Sequence, residues 1–288
     1  MGKLPRVASE AMTSARVRIR QFTDPTCPFA FSGERQRLRL RWRYGDQLEW
    51  ETRMVVLTET PDDRPAPELL VSSRRRLHGE HGMPMAWTPE PASALSVEGC
   101  RLVVAARRHD TAAADALLRR LRVLNFAGRA IDEPDVLARA RDEAGLDAGV
   151  LAGWAAEPET ETELRADMRA AREPSPAARA LDFKLGGPDG ARRYTCPSYA
   201  LRALDGGVTI DLPGFWPVDT YVAGLANVAP ELEVRPDPDA VEEVLAWAAM
   251  PLATAEVAAI WDRDVDEARE ALGDVARFEP VGADGYWS

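Results

Sequence analysis

The chain has 288 residues, 45% of them hydrophobic and 29% charged, with a formal net charge of −11. This length suits one large domain with an insertion, or two domains. Its three cysteines lie far apart, which excludes the dense disulfide framework of a small secreted domain. The sequence contains neither an apolar signal-peptide core near its start nor a run approaching the roughly 18 apolar residues of a membrane span. We therefore expect a cytoplasmic protein without a membrane partner.

A short stretch at residues 24–30, Asp-Pro-Thr-Cys-Pro-Phe-Ala, joins the first two predicted elements. Alternating apolar residues at 16–22 predict a strand before it, and an Arg- and Leu-rich segment follows it at 34–44. Pro28 suits the first turn of a helix, because it lacks the N–H that would go unsatisfied there. Cys27 would then lie at a helix start, where free N–H groups and the helix dipole favour a thiolate. The alternative is a buried, inert cysteine.

This stretch resembles the active site of the DsbA family of thioredoxin-fold oxidoreductases, whose pattern is a strand, Asp-Pro-x-Cys-Pro-aromatic-x and a helix. The matching residues are Asp24, Pro25, Cys27, Pro28 and Phe29. In particular, the chain resembles the cytoplasmic, actinobacterial type of the family, with Cys-Pro-Phe-Ala in place of C-x-x-C. The resemblance implies an α/β thioredoxin fold and thiol chemistry at Cys27. Because Ala30 replaces the usual second cysteine, a dithiol exchange within this motif is excluded.

Residues 34–92 contain a predicted helix, a predicted strand and a long Pro-rich segment. Arginines occupy every second position of 34–44, which would also suit a strand, and the family resemblance decides for a helix. Some of these arginines could strengthen thiolate formation or attract an anionic thiol, and the alternative is that they are solvated. Residues 48–57 predict a second strand, and the Pro-rich, charged residues 58–92 predict a loop or a broken helix. The histidines there, His78 and His81, lack further ligands nearby, so no metal site is predicted.

The middle of the chain, residues 93–181, carries alanine-rich amphipathic segments that predict helices. They resemble the helical insertion of DsbA-type proteins, and Cys100 on the first of them is expected to be a core residue. A helix start is predicted with Asp132 as N-cap and Pro134 in the first turn. Residues 157–176, which are rich in acids and proline, are predicted to cross the surface.

Later in the chain, residues 194–201 predict a strand entered through Pro197, and residues 208–212 complete a hairpin with it. In the resembled family a cis-proline faces the active-site cysteine, and Pro197 is the matching position. The residue before it, Cys196, would then lie beside Cys27. Two interpretations stay open. Cys196 is either a small apolar filler, or it resolves a mixed disulfide on Cys27 or forms a reversible disulfide with it, which requires Cα atoms within about 7 Å.

The last residues, 238–288, predict three helices and a hairpin with its turn at Asp284–Gly285, an arrangement that resembles a winged helix. That class often binds DNA, but this segment has three arginines against twelve acids. Because duplex DNA binding depends on phosphate neutralisation by Lys and Arg, we exclude nucleic acid as a partner and predict a packing or protein-binding role. The predicted organisation is a thioredoxin-fold first half at 16–60, a helical insertion at 61–181, a thioredoxin-fold second half at 182–237 and a winged-helix-like module at 238–288.

The leading functional hypothesis is DsbA-type thiol–disulfide exchange through the single active-site Cys27, acting on a small thiol or a protein disulfide. A second thiol must release the mixed disulfide, and the candidates are Cys196 or a small thiol such as mycothiol or glutathione, with no other cofactor. The resemblance implies that the substrate-binding residues are Pro28, Phe29, Thr195 and Pro197.

Two alternatives to this hypothesis use the same scaffold. One is an enzyme like the kappa-class glutathione transferases and hydroxychromene carboxylate isomerases, which use Ser where this chain has Cys27. The other is a redox-inactive binding protein, which the missing second cysteine of the motif supports. The sequence predicts no oligomeric state.

Overall fold

A four-stranded mixed sheet lies at the centre of the structure, a computed structural model that describes residues 15–89, 91 and 93–288. Its strands are β1 (Val17–Thr23), β2 (Leu48–Met54), β3 (Ser198–Ala203) and β4 (Thr209–Leu212), in the order β2-β1-β3-β4. β1 runs parallel to β2 and antiparallel to β3, and β3 pairs antiparallel with β4. Strands from before and after the helical middle of the chain therefore meet in one sheet, with β1 between β2 and β3.

The connection from β1 to β2 is helical, as a parallel pair requires. It contains α1 (Pro28–Ser32) and α2 (Glu34–Tyr44), which Gly33 separates. The bounds of α2 match the helix predicted at 34–44 and exclude the strand alternative. Leu40 and Tyr44 of α2 pack on the sheet together with Val17 and Ile19. Tyr221 and Leu225 of α10 (Val218–Val228) belong to the same cluster.

The helical middle of the chain lies between β2 and β3. Its helices are α3 (Pro67–His81), α4 (Val97–His109), α5 (Thr111–Phe126), α6 (Pro134–Glu143), α7 (Ala148–Ala156), α8 (Pro158–Arg172) and α9 (Pro176–Arg179). Residues 58–92 therefore include a regular helix, α3. The predicted cap at Asp132 is wrong, because Glu133 is the N-cap of α6 while Asp132 accepts hydrogen bonds from Arg64 and from the backbone N–H of Leu95.

The prediction that residues 157–176 only cross the surface is also wrong. Most of them form α8, whose Leu164 and Met168 lie one turn apart and pack into the helical core. Asp167, on the same face, is fully buried. Its carboxylate pairs at 2.8 Å with Arg53 of β2 and at 2.7 Å with Arg107 of α4. Partners from distant segments thus make an acid-rich segment part of the interior.

The C-terminal residues pack against the rest of the chain. They form α11 (Val241–Ala248), β5 (Leu252–Ala253), α12 (Thr254–Trp261), α13 (Val265–Val275), β6 (Phe278–Val281) and β7 (Asp284–Trp287), with strand order β5-β7-β6. The hairpin turn lies at residues 282–283, because Asp284 already pairs with Val281 at the start of β7. Leu38 and Trp42 of α2 share a buried cluster with residues of α11, α12 and α13. The winged-helix resemblance stays a prediction.

Within residues 15–89, 91 and 93–288, no helix combines the length and the apolar character that crossing a bilayer requires.

Candidate active site

Cys27 is the N-cap residue of α1, and Pro28 is the first residue of that helix. The turn before it is held by Asp24, whose carboxylate is fully buried. One of its oxygens accepts hydrogen bonds from the backbone N–H and the hydroxyl of Thr26, at 2.7 and 2.6 Å. The other oxygen accepts the N–H of Leu57 at 2.8 Å. Asp24 therefore ties the Cys27 turn to the segment that follows β2.

Cys27 and Cys196 meet at this turn, as the sequence analysis predicted from the resemblance. The Cys27 Sγ atom donates to the backbone carbonyl of Cys196 at 3.3 Å, and both residues are free thiols. A hydrogen bond from the Cys196 thiol lowers the pKa of Cys27, and backbone N–H groups of Ala30 and Phe29 act in the same direction. These hydrogen bonds outweigh burial and the nearby Asp24 charge, which both raise it. The site thus favours a thiolate at Cys27.

Cys196 has the opposite tendency. Burial raises its pKa well above the ordinary value, and the hydrogen bond and charge of Cys27 raise it further. Arg193 nearby acts in the other direction. The pair therefore consists of one thiol that ionises more readily than usual and a second that ionises less readily.

The peptide bond between Cys196 and Pro197 is cis. Pro197 packs against Gly33 at the break between α1 and α2, where an added Cβ would lie only 3.1 Å from the proline Cγ. Thr195, a predicted substrate-binding residue, donates its hydroxyl to the carbonyl of Lys184 at 2.7 Å. Its side chain therefore holds the segment before β3 in place beside the two thiols.

Both thiols are more enclosed than the sequence alone predicts, since Cys27 is 7% exposed and Cys196 5% exposed. They belong to an apolar cluster that includes Tyr194, which stacks on Phe22 with ring centroids 4.2 Å apart. Leu185 and residues of α8 and α9 complete that cluster. These side chains come from segments far from Cys27 in sequence, and no local pattern around residue 27 indicates them.

The exposed edge of the site is a group of aromatic and basic side chains, here called the rim: Phe29, Arg35, Arg76, His81 and Phe215. Phe29 is 36% exposed, and its ring meets Phe215 edge to face at 6.2 Å. The His81 ring stacks on the Phe215 ring, with centroids 4.7 Å apart. The Arg76 guanidinium lies 5.7 Å from the Phe29 ring, and a guanidinium nitrogen of Arg35 lies 3.4 Å from His81 Nδ1. Sequence reasoning missed the roles of His81 and Phe215, which only the fold brings together.

The two histidines of residues 58–92 do not share a site. His78 Nδ1 lies 2.9 Å from the carbonyl of Met83, and its ring tilts against Trp87. Burial lowers the pKa of His81, and the adjacent Arg35 lowers it further, so His81 favours the neutral form. Across the part of the chain that the structure describes, no cluster of His, Cys, Asp or Glu could hold a metal ion.

Cys100, the third cysteine, is fully buried in the helical core on α4, as predicted. Its sulfur lies 3.7 Å from an oxygen of Asp24. Burial raises the pKa of Cys100 well above its ordinary value, and the Asp24 charge adds to that effect. Cys100 is therefore an inert core thiol next to the turn, and it does not contact Cys27.

The sheet order, the helices inserted between β2 and β3 and the cysteine at the start of α1 define a thioredoxin-fold protein with a helical insertion. The chain belongs to the family of the DSBA-like thioredoxin domain, which matches residues 18–174, over half of its length. The predicted α/β thioredoxin fold is thereby confirmed. A comparison with curated proteins finds no match.

The solved structures that share this fold include two described as disulfide oxidoreductases or reductases. A probable DsbA oxidoreductase from Streptomyces coelicolor has 22% identity and a TM-score of 0.53, covering 75% of this chain and 91% of its own. The cytosolic disulfide reductase DsbM from Pseudomonas aeruginosa has 18% identity and a TM-score of 0.52, covering 73% of this chain and 93% of its own. At these identities the similarity establishes the fold, that of the DsbA-like thiol–disulfide oxidoreductases.

Proposed function

We propose that this protein catalyses thiol–disulfide exchange, with Cys27 as the nucleophile and Cys196 as the second thiol. The observation that carries the proposal is that the Cys27 thiol lies 3.3 Å from the backbone carbonyl of Cys196, a second free cysteine, beside the cis peptide bond at Pro197. The position of a usual second cysteine holds Ala30, which is buried and offers no thiol. Cys196 is thus the protein thiol in position to act on a species bound to Cys27.

The first step forms a mixed disulfide. The Cys27 thiolate attacks one sulfur of a substrate disulfide, a bond forms between Cys27 Sγ and that sulfur, and the other sulfur leaves as a thiolate that takes a proton from water. The lowered pKa of Cys27 raises the fraction of the attacking thiolate. Asp24, through Thr26, holds the turn that carries it.

The second step releases the mixed disulfide. Once Cys27 is bonded to the substrate sulfur, it no longer carries the charge that raises the pKa of Cys196. Cys196 then ionises more readily and attacks Cys27 Sγ, which forms a Cys27–Cys196 disulfide and expels the second substrate thiol. Two equivalents of a small thiol such as glutathione or mycothiol reduce this disulfide and become oxidised themselves. We place the reaction in the cytoplasm, where such thiols are kept reduced.

Burial favours a small disulfide over a folded protein as the substrate. Only 7% of Cys27 is exposed, and the sulfur of a small molecule is easier to bring to it than a disulfide within a protein surface. In this proposal the substrate contacts Pro28 and Phe29 at the start of α1 and the segment of Thr195 and Pro197.

The experiment compares Cys27→Ser and Cys196→Ser with Cys100→Ala, a control at a buried cysteine that does not contact Cys27. Reduction of a small disulfide is followed with glutathione and with mycothiol, and free thiols are counted by mass spectrometry without reductant. We expect oxidised wild type and Cys100→Ala to contain a Cys27–Cys196 disulfide. We expect Cys27→Ser to be inactive, and Cys196→Ser to accumulate a mixed disulfide between Cys27 and one half of the small disulfide.

The burial of Cys27 also favours a second candidate, a redox-inactive protein that uses the scaffold for binding. If wild type and Cys27→Ser were equally inactive with every thiol, this second function would replace the first. Formation of thiol adducts without any change in disulfide content would instead support the transferase-like enzyme.

A further inference from the structure

We propose that Arg35 is a specificity-determining residue that binds a carboxylate of the substrate, so that the site prefers carboxylate-bearing small thiols and disulfides. The inference rests on the proposed function, because it assigns a substrate class to the same site. It starts from how the structure divides the arginines of α2.

Arg35 differs from Arg37, Arg39 and Arg41, which occupy the next three alternate positions of α2. Those three are each paired with aspartates: Arg37 with Asp115 at 2.7 Å, Arg39 with Asp237 at 3.0 Å and Arg41 with Asp115 at 3.1 Å. Among the described residues, Arg35 has no carboxylate within ion-pair distance, and its Nε atom has no hydrogen-bond partner. The one side-chain hydrogen bond of Arg35 among those residues is with His81 Nδ1, at 3.4 Å. The cation of Arg35 is therefore left without a counter-charge.

The environment of Arg35 makes an added anion favourable. Its side chain is half-buried, and burial lowers its pKa, which reports the cost of holding this charge away from water. A guanidinium presents two parallel N–H groups that match the two oxygens of a carboxylate. Neutral His81 beside it can accept a hydrogen bond from Arg35 and leaves the remaining N–H groups for a ligand.

Arg35 is connected to the Cys27 turn through the neighbouring side chains of the rim. Gly33, two residues before it, contacts the ring of Pro197. From Arg35 the rim continues through His81 and Phe215 to Phe29, two residues after Cys27. The aromatic rings offer an apolar surface for the body of a small molecule, and Arg35 offers a charged end point.

The rim thus distinguishes two candidate thiols. Glutathione carries carboxylates and mycothiol carries none, so the proposed contact at Arg35 favours glutathione or another carboxylate-bearing thiol. An uncharged disulfide would gain only the aromatic contacts.

The test uses two alkylating reagents of nearly equal size, anionic iodoacetate and neutral iodoacetamide, and measures the rate at which each modifies Cys27 by peptide mass mapping. We expect Arg35→Gln to slow iodoacetate about tenfold, the size of a lost charge-assisted hydrogen bond, and to leave iodoacetamide nearly unchanged. Arg75→Gln is the matched control, because it removes the same charge from an exposed position on α3. It should change the ratio of the two rates by less than about twofold. An unchanged ratio in Arg35→Gln would overturn the inference.

A second measurement compares kcat/KM for glutathione disulfide and for the uncharged bis(2-hydroxyethyl) disulfide, each with mycothiol as the reductant. Arg35→Gln should lower kcat/KM for glutathione disulfide and leave that for bis(2-hydroxyethyl) disulfide unchanged. Arg35→Lys should restore part of the loss, because lysine keeps the positive charge but lacks the two parallel N–H groups of a guanidinium. Equal loss with both disulfides would refute carboxylate recognition. If wild type turns over neither disulfide, the proposed function fails, whereas the alkylation ratio still decides the role of Arg35.

Discussion

The buried ion pair between Glu34 and Arg122 provides a test of what holds the helical insertion on the thioredoxin unit. Glu34 begins α2, Arg122 lies on α5, and their charged atoms are 2.6 Å apart with side chains 3% and 1% exposed. Glu34→Gln leaves the buried guanidinium without its counter-charge. Removing one partner of such a pair costs about 3–5 kcal/mol, and we expect about 3 kcal/mol because Gln keeps a hydrogen bond.

The measurement is unfolding by denaturant, with the free energy of unfolding compared at equal slope. The control is Glu49→Gln, which breaks the ion pair between Glu49 and Arg18. The charged atoms of that pair are 2.7 Å apart, but the side chains of Glu49 and Arg18 are 42% and 46% exposed. An exposed pair contributes at most about 1 kcal/mol, so the two variants should differ clearly. Equal losses in both would show that burial does not set the strength of these pairs and would refute the reasoning.

The free energy of unfolding lost in Glu34→Gln should depend on pH with a definite sign. Burial alone raises the pKa of Glu34, but Arg122 and Arg37 outweigh it, so the pKa in the folded protein is lowered. The ionised carboxylate therefore stabilises the fold above its unfolded pKa of about 4.3. This contribution is lost as the pH falls through the folded pKa. The stability gap between wild type and Glu34→Gln should be constant near neutral pH and narrow below about pH 4.

Two further predictions concern the thiol pair and the C-terminal hairpin. Cys196→Val removes a hydrogen-bond donor, so the pKa of Cys27 should rise. The pKa is measured from the pH dependence of Cys27 alkylation by iodoacetamide. An unchanged pKa would contradict the proposed thiol contact. Gly145 and Gly282 both have positive φ, 75° and 62° respectively. A Cβ added at Gly145 would meet nothing within 4 Å, whereas one added at Gly282 would lie 2.2 Å from the carbonyl oxygen of Met85. Gly145→Ala should therefore cost about 1–2 kcal/mol of unfolding free energy, and Gly282→Ala about 1–3 kcal/mol more; equal costs would mean that the hairpin turn can move away from Met85.

The elements that sequence patterns located well depend on contacts between near neighbours in the chain. The strand before Cys27 and the hairpin of β3 and β4 have alternating patterns bounded by turn residues, which act within a few positions. Pro28 predicts the start of α1 for the same reason. For residues 157–176, in contrast, the local composition gave a wrong prediction of a surface segment. The ion-pair partners of Asp167 lie on β2 and α4, and the local composition contains no information about them.

By itself, the sequence determined that a cysteine followed by proline begins a helix after a strand, and family resemblance extended this to a second cysteine beside a proline. Only the tertiary structure decided that Arg37, Arg39 and Arg41 pair with aspartates, because Asp115 and Asp237 lie in segments remote in sequence from α2. The enclosure of Cys27 by Leu185 and Tyr194 was likewise decided there. Burial and ion pairing depend on how distant segments pack, and a local pattern carries no information about that packing.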